Sequence, residues 1–206
     1  MHKFFLSIFL YLHRIASLKN AIKKVLLLLV LSVSSPLFAQ QTANISSFHR
    51  LLIFNEKSEL MLVRIKDSDR WVTPGWYQDE KLTIRQGLEQ LAESYGVKIS
   101  SPLLRGVFTL KDGQSRVIST RLIYSTSITS GKLEAPALIG EIKWLPVQEA
   151  AELVTYPHIS TQFMQITKYP NIVWGGTQTM QSDSNTNKSD TVDAFYPLVA
   201  ISGRIR

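Results

Sequence analysis

The sequence predicts a single α/β domain, and three observations support this fold class. First, a chain of 206 residues has the length of one domain with a tail. Second, several short segments alternate between apolar and polar residues and end at Gly, Pro, Asn or Asp, which is typical of β-strands and their turns. Third, one central segment repeats its apolar residues with helical spacing.

The first strands are predicted before residue 80. Ser47–Asn55 and Leu60–Lys66 have the alternating pattern, and the short polar turn between them predicts a β-hairpin. Trp71–Trp76 contains the end of a further strand, because it includes a Pro-Gly turn.

A helix is predicted over Ile84–Tyr95. Thr83 and Gln86 have the spacing of a capping box, in which each side chain satisfies a free backbone N–H of the first turn. Gly96 stands where a left-handed residue ends many helices. Gly87 lowers helix stability by about 0.8–1.0 kcal/mol relative to alanine, which indicates a close contact of the backbone there. The apolar stripe of this helix consists of Ile84, Leu88, Leu91 and Tyr95.

Strands and helices continue after Gly96. An Asp-Gly turn at residues 112–113 predicts a hairpin, Ser130-Gly131 predicts another turn, and Pro146 suits a first helical turn. The predicted strands are Val97–Ser101, Gly106–Leu110, Val117–Ser127 and Glu141–Leu145, and the predicted helices are Pro146–Leu153 and Ser160–Lys168.

The last thirty residues divide into two parts, which we assign to a tail, 177–206, that follows the domain. Thr177–Asp193 is almost entirely polar, a composition that cannot bury a core and predicts a loose loop. Ala194–Ile201 is apolar again. Two interpretations stay open for it, a terminal strand that folds back onto the domain and an edge that seeks a partner.

The net charge of +7 comes mostly from the N-terminal leader. Five of the 23 basic residues precede residue 40 and none of the 16 acidic residues does, which leaves 18 basic against 16 acidic residues in the rest of the chain. This near balance does not support a polyanion-binding surface, so we predict no nucleic-acid partner.

The leader, residues 1–39, is predicted to be a signal peptide. Lys23 and Lys24 precede the apolar run Val25–Val33, and Ala39 offers a small residue at the break, so the chain is predicted to be exported, to the periplasm or as a secreted protein. The alternative is an uncleaved N-terminal anchor made with the earlier apolar run Phe4–Leu12, which would be the only contact with a membrane. The chain contains no cysteine, so a disulfide framework is excluded.

The segment from Gly75 to Val97 resembles the Nudix box. In that family five residues separate a glycine from a glutamate, and seven more separate that glutamate from the run Arg-Glu-aliphatic-x-Glu-Glu-x-Gly-aliphatic. Gly75, Leu91, Glu93, Gly96 and Val97 match this motif. The order of the strands around the box also follows the family over residues 45–176. The resemblance implies a Nudix-type mixed β-sheet packed between helices, formed as a single domain by these residues.

The resemblance also implies a chemistry, because Nudix hydrolases cleave phosphoanhydrides with Mg²⁺ or Mn²⁺ held by glutamates of the box helix. Here Lys81 stands at the first glutamate, although a shift of one residue would offer Glu80. The remaining differences are Glu89 at the arginine, Gln90 at the first metal-binding glutamate and Ser94 at the last.

The metal-site candidates are therefore Glu93, Glu89 and Gln90, and Glu93 is the candidate catalytic residue. Glu89 and Glu93 are four residues apart on the helix, close enough to share a weakly held cation. The alternative, which we favour, is that both are the solvated face opposite the apolar stripe.

The substrate-binding candidates are Arg64, Trp76 and Tyr77. Arg64 could meet a phosphate, although a lone arginine on a strand is usually a surface residue. Trp76 and Tyr77 could stack on a base, although aromatic residues beside a turn more often close the core. His158 has no partner identifiable in the sequence and is predicted to be an exposed loop residue rather than a base.

Two functions follow from these observations. The first is a non-catalytic domain that binds a small phosphorylated ligand or a partner protein, with the fold retained and the metal site degenerate. The second is a weak or rewired Mg²⁺- or Mn²⁺-dependent hydrolase of a phosphoanhydride in a nucleoside diphosphate derivative. The sequence leaves open whether the chain is an enzyme, and we favour the binding domain because most metal-binding glutamates are replaced.

Overall fold

The computed structural model describes residues 45–114, 116–180, 189–191 and 194–200. The predicted leader, 1–39, lies outside them, and within the described residues no helix is both long and apolar enough to span a bilayer. The strands are β1 (Ser46–Phe54), β2 (Leu60–Ile65), β3 (Trp71–Val72), β4 (Gly75–Tyr77), β5 (Val97–Ile99), β6 (Leu103–Lys111), β7 (Val117–Gly131), β8 (Ile139–Leu145), β9 (Ile172–Met180), β10 (Ser189–Thr191) and β11 (Tyr196–Ala200). The helices are α1 (Ile84–Ser94), α2 (Val147–Leu153) and α3 (Pro157–Lys168).

One mixed sheet organises the domain. Its main path runs in the order β10, β9, β6, β7, β1, β2, β3. Four strands lie off this path: β11 pairs with β9, β4 with β1, β5 with β7, and β8 with β2. The pairs β1–β7 and β6–β9 are parallel, whereas the hairpins β1–β2 and β6–β7 are antiparallel. Both predicted hairpins are confirmed.

Strands β1 and β2 are buried on both faces because the sheet lies between helices. Leu52 of β1 packs in a core with Phe163 of α3, whereas Leu51 packs in a second core with Leu88 of α1. Burying such a side chain contributes about 1.5–3 kcal/mol. The prediction of a mixed β-sheet packed between helices is confirmed.

Helix α1 begins and ends at the predicted signals. The backbone N–H of Gln86 donates to the Thr83 hydroxyl at 3.3 Å, and the Thr83 N–H donates to the Gln86 side chain at 3.0 Å. Gly96 has φ +73°, and a Cβ there would lie 2.2 Å from the carbonyl oxygen of Lys132. Only glycine fits this left-handed position beside a neighbouring backbone.

Gly87 makes the predicted close contact. A Cβ at this position would lie 2.4 Å from an atom of the Trp76 indole, so the absent side chain lets β4 lie against α1. The contact is made by an aromatic ring of the neighbouring strand rather than by another backbone.

The prediction of a loose loop over Thr177–Asp193 is wrong at Thr177–Met180, which continues β9, and at β10; residues 181–188 and 192–193 lie outside the described part. Pairing with β6 satisfies the backbone of β9, and the buried Gln178 side chain accepts a hydrogen bond from Gln162 at 3.3 Å. Of the two interpretations of the apolar end, the structure supports the strand that folds back, because β11 pairs antiparallel with β9.

Two smaller predictions also need correction. The strand β7 continues through Ser130 to Gly131, where a turn was predicted, because these residues pair with β5. Helix α3 begins at Pro157, three residues before the predicted Ser160. Proline suits the first turn of a helix because its missing N–H would have no partner there. This earlier start changes the position of His158.

Candidate functional site

A cavity of about 550 Å³ opens beside β1, β4 and the start of α3, and we call it the arginine cavity. Its volume lies in the range of small-molecule sites, roughly 300–1,000 Å³. Among the described residues, those that line it include three arginines but no Asp, Glu or Lys. The polar and aromatic members are Phe48, Arg50, Arg70, Thr73, Tyr77, Tyr95, Arg121, Tyr156 and His158.

Arg50 is the most buried charged residue of the cavity wall, with 5% of its surface exposed. Its Nη1 donates to the Thr73 hydroxyl at 2.6 Å, while its Nε has no hydrogen-bond partner within the described part of the chain. Burial and then the charge of Arg121 lower the pKa of Arg50 to about 9, so the guanidinium stays protonated at neutral pH. The wall therefore holds a buried positive charge.

Arg121 lies next to Arg50 because β7 runs parallel to β1, with Arg121 paired to Phe48. The guanidinium carbon of Arg121 lies 4.6 Å from the Phe48 ring centroid, and that of Arg50 lies 5.2 Å from it. Arg121 also donates to the Tyr77 hydroxyl at 3.2 Å, and its Nε has no partner among the described residues. One aromatic ring therefore positions two guanidinium groups by cation–π contact.

His158 lies in the first turn of α3 and lines the arginine cavity, so the prediction of an exposed loop histidine is wrong. The physical reason is that α3 begins at Pro157 and turns the histidine towards the sheet. Burial, followed by the positive charges of Arg50 and Arg121, lowers the pKa of His158 to about 3. The imidazole is therefore neutral at neutral pH and adds no charge to the three arginines.

The metal-site candidates lie elsewhere, on the outer face of α1, by which we mean Glu89, Gln90 and Glu93. The Glu89 carboxylate forms an ion pair with Arg85 at 2.9 Å, and Gln90 and Glu93 are exposed. Glu89 and Glu93 share a small cavity of about 190 Å³ with Lys98. No group of three His, Cys, Asp or Glu side chains within the described residues is arranged to hold a metal ion.

The three substrate-binding candidates separate in space. Arg64 lies beside Glu141 of β8, with Nε 3.3 Å from the carboxylate. Trp76 packs against Gly87 and stacks at a tilt on His49, with 5.1 Å between ring centroids. Tyr77 lines the arginine cavity with its exposed ring. The structure therefore brings one of the three, Tyr77, into the cavity.

Sequence reasoning missed Arg50, Arg121 and Tyr156 as site residues. A signal for Arg50 is present, because a charged residue stands directly before the apolar run at residues 51–54 of β1. Arg121 has no such signal in the sequence. It reaches the cavity through the parallel pairing of β1 with β7, which joins residues 73 positions apart.

Comparison with known proteins identifies the fold. No model of a protein family and no curated protein sequence matches this chain. Solved structures do match it. The MutT protein of Bacillus halodurans is 13% identical, with 74% of this chain and 97% of that chain covered and a TM-score of 0.58. This chain carries a Nudix-fold domain.

Two further solved structures agree. A Nudix hydrolase of Nitrosomonas europaea is 10% identical over 68% of this chain and 80% of its own, with a TM-score of 0.54. A UDP-X diphosphatase is 19% identical over 68% and 70%, with a TM-score of 0.50. At these identities the likeness shows the fold alone, so the activity of this Nudix-fold domain has to be argued from its own side chains.

Proposed function

We propose that this Nudix-fold domain binds a small ligand in the arginine cavity and does not hydrolyse it. The observation that carries the proposal is the separation of two regions. The arginine cavity has the volume of a ligand site and three positive charges, and none of Glu89, Gln90 and Glu93 lines it. A ligand in this cavity therefore meets cations and aromatic rings rather than the acidic side chains of the box helix.

The donor set on the outer face of α1 fits a resident divalent cation poorly. Mg²⁺ and Mn²⁺ prefer oxygen ligands, and negative charge strengthens their binding. Here one carboxylate is already paired with Arg85, the second is exposed, and the third donor is the neutral amide of Gln90. Lys98 lines the same small cavity, so its positive charge opposes a cation there. The metal site is, in this proposal, degenerate.

A second candidate function is a weak or rewired Mg²⁺- or Mn²⁺-dependent hydrolase of a phosphoanhydride in a nucleoside diphosphate derivative. The observation that favours it is that Glu89 and Glu93 line one small cavity. One or two protein carboxylates together with substrate phosphates can hold Mg²⁺. In this alternative the glutamates would hold the cation only while substrate is bound.

The proposed location of the domain is outside the cytoplasm, periplasmic or secreted, as the leader predicts. The support is the basic, then apolar, then small-residue pattern that ends at Ala39. Mass spectrometry of the chain purified from its native host tests this proposal. A mass that lacks about 39 residues supports cleavage and export, and a full-length mass supports the uncleaved anchor.

Release of nucleoside monophosphate by the purified full chain, followed by chromatography, tests the central proposal. The assay uses Mg²⁺ or Mn²⁺ and a panel of nucleoside diphosphate derivatives. We expect no turnover by the wild type. The variants are Glu93→Gln and, as a matched control, Glu152→Gln, which neutralises an exposed glutamate of α2. Metal-dependent turnover that is lost in Glu93→Gln and kept in Glu152→Gln would overturn the proposal and establish the hydrolase.

A further inference from the structure

We propose that the ligand of the arginine cavity is a small phosphate monoester with an aromatic body, whose phosphate is held by Arg50 and Arg121. This inference rests on the proposed function, because it assigns a chemical class to the same site. It depends on the charges of the cavity, the free donors of its arginines and the nature of its remaining wall.

The charge of the cavity calls for a dianion. Arg50, Arg70 and Arg121 contribute three positive charges, and no described lining residue contributes a negative one. A phosphate monoester carries a charge of roughly −1.5 to −2 at neutral pH, whereas a carboxylate carries one negative charge. The phosphate therefore balances more of the positive charge than a carboxylate does.

The free donors of two arginines show where the phosphate would bind. The Nε atoms of Arg50 and Arg121 are buried and have no hydrogen-bond partner within the described residues. The Phe48 ring lies within 5.2 Å of both guanidinium carbons, and the charge of Arg121 lowers the pKa of Arg50, so the two groups share one part of the wall. A phosphate offers three oxygens, and the planar guanidinium fork matches pairs of such oxygens.

The two guanidinium groups are also held in place before a ligand arrives. Arg50 donates to the Thr73 hydroxyl at 2.6 Å, and Arg121 donates to the Tyr77 hydroxyl at 3.2 Å. Fixing both side chains in the free protein reduces the entropy lost when an anion binds. These hydrogen bonds favour a binding role, since an arginine that only faces solvent does not need its guanidinium group to be fixed.

The rest of the cavity fits an aromatic body. Tyr77 and Tyr156 offer rings, and the neutral His158 offers a polar edge without added charge. Phosphates of a diphosphate chain usually need a divalent cation beside them, and the described lining has no carboxylate to hold one. The apolar part of the wall is formed by Val63, Ile65, Val72, Leu138, Ile139 and Ile159.

Isothermal titration calorimetry of the full chain without metal tests this inference with four probes. Phenyl phosphate has both the dianion and the ring, benzoate has the ring with a single charge, inorganic phosphate lacks the ring, and phenol lacks the charge. We expect phenyl phosphate to bind most tightly. Its Kd should rise by at least about tenfold in Arg50→Met and in Arg121→Met. The control Arg85→Met removes an arginine of which 75% is exposed and should change Kd by less than about twofold.

A fourth variant separates recognition from folding. Arg121→Lys keeps the charge but loses the planar fork, so it should weaken binding of phenyl phosphate by an intermediate factor. Circular dichroism checks that each variant is folded. Binding of benzoate or inorganic phosphate as tight as that of phenyl phosphate overturns the ligand class, and so does phenyl phosphate binding that survives both Arg50→Met and Arg121→Met.

The two proposals fail in different experiments. Metal-dependent turnover that needs Glu93 contradicts the non-catalytic function and leaves phosphate binding by the arginines intact. Calorimetry without metal reports only on the arginine cavity. If calorimetry detects no preference for phenyl phosphate, the proposed ligand class is wrong, whereas the proposal of a non-catalytic domain is unaffected.

Discussion

The charged side chains of the outer face of α1 and those of the arginine cavity lie in opposite environments. On the outer face of α1, Glu89 is paired with Arg85 and Glu93 is exposed to solvent. In the cavity, Arg50 is buried without an acidic partner among the described residues, and Arg121 is beside it. An exposed ion pair contributes about 0–1 kcal/mol, whereas a buried charge without a partner lowers stability. A ligand of opposite charge explains such a cation better than stability does.

The comparison also concerns two kinds of position in the box, those that shape the fold and those that would bind metal. Positions that match the Nudix box shape the fold, as Gly96 and the buried Val97 show. Where the resemblance to the Nudix box would place two metal-binding glutamates, this chain has Gln90 and Ser94. The chemistry proposed for this chain therefore lies in residues outside the box, on β1 and β7.

The largest expected effect contrasts the two faces of α1. Leu88→Ala should lower the free energy of unfolding by about 2–5 kcal/mol, because it leaves a cavity beside fully buried Leu51. Glu93→Gln should change it by less than about 0.5 kcal/mol, because the side chain is exposed. Urea unfolding of the full chain, followed by circular dichroism, measures both.

A large loss of stability in Glu93→Gln would contradict this view of the outer face. It would mean that Glu93 makes a stabilising contact, and the interpretation of a solvated face would fail. Leu91→Ala serves as a control of intermediate size, because Leu91 is only partly buried against the same core.

Sequence patterns predicted the local structure well where the signals are local. The capping residue Thr83, the terminating Gly96 and the Asp-Gly turn at 112–113 act within a few residues, and all three were found in place. Prediction failed at Thr177–Met180, because the pairing of these residues of β9 with β6 and β10 overrides their polar composition. Strand propensity depends on such neighbours more than helix propensity does.

The candidate site was harder to predict for the same reason. Arg50 and Arg121 meet only because β1 pairs in parallel with β7, and His158 joins them only because α3 begins at Pro157. Nothing in the spacing of these residues along the chain indicates that they share a wall. Tyr77 was selected because an aromatic residue beside the turn could stack on a base, and it entered the cavity through the pairing of β4 with β1.

The next effect depends on pH and concerns the cavity. The pKa of His158 is lowered to about 3 in the folded protein, so its contribution to stability is present above its unfolded pKa, about 6.5, and is lost as pH falls towards 3. Between pH 6.5 and 5 we expect wild-type stability to fall by about 1–2 kcal/mol. The fall should be smaller in His158→Gln, as measured by urea unfolding at each pH.

The pH window is chosen because most carboxylates titrate below it. His49 also has a lowered pKa, through burial, and therefore contributes a loss of the same sign in both proteins. The groups around His158 are Arg50 and Arg121, which stay charged throughout this window, and the Tyr156 ring at 5.8 Å. Equal slopes in wild type and His158→Gln would show that His158 is not held in its neutral form by the cavity.

The smallest of the three expected effects has the most informative sign. Arg50→Met should raise the free energy of unfolding of the ligand-free chain by about 1 kcal/mol, because it removes a buried charge that has no acidic partner within the described part of the chain. The gain is limited because the Thr73 hydroxyl, 2% exposed, loses the hydrogen bond from Arg50. Arg50→Met/Thr73→Val removes both groups and should be at least as stable as Arg50→Met.

Arg50→Met should also weaken the binding of phenyl phosphate, so stability and binding change in opposite directions. A residue that serves only the fold would show the reverse, a loss of stability on removal. If Arg50→Met is destabilised by more than about 1 kcal/mol, Arg50 is a structural residue, and the contrast with the exposed, paired Arg85 no longer indicates a ligand site. A gain in stability with a loss of binding supports a cation that is retained for the anion it binds.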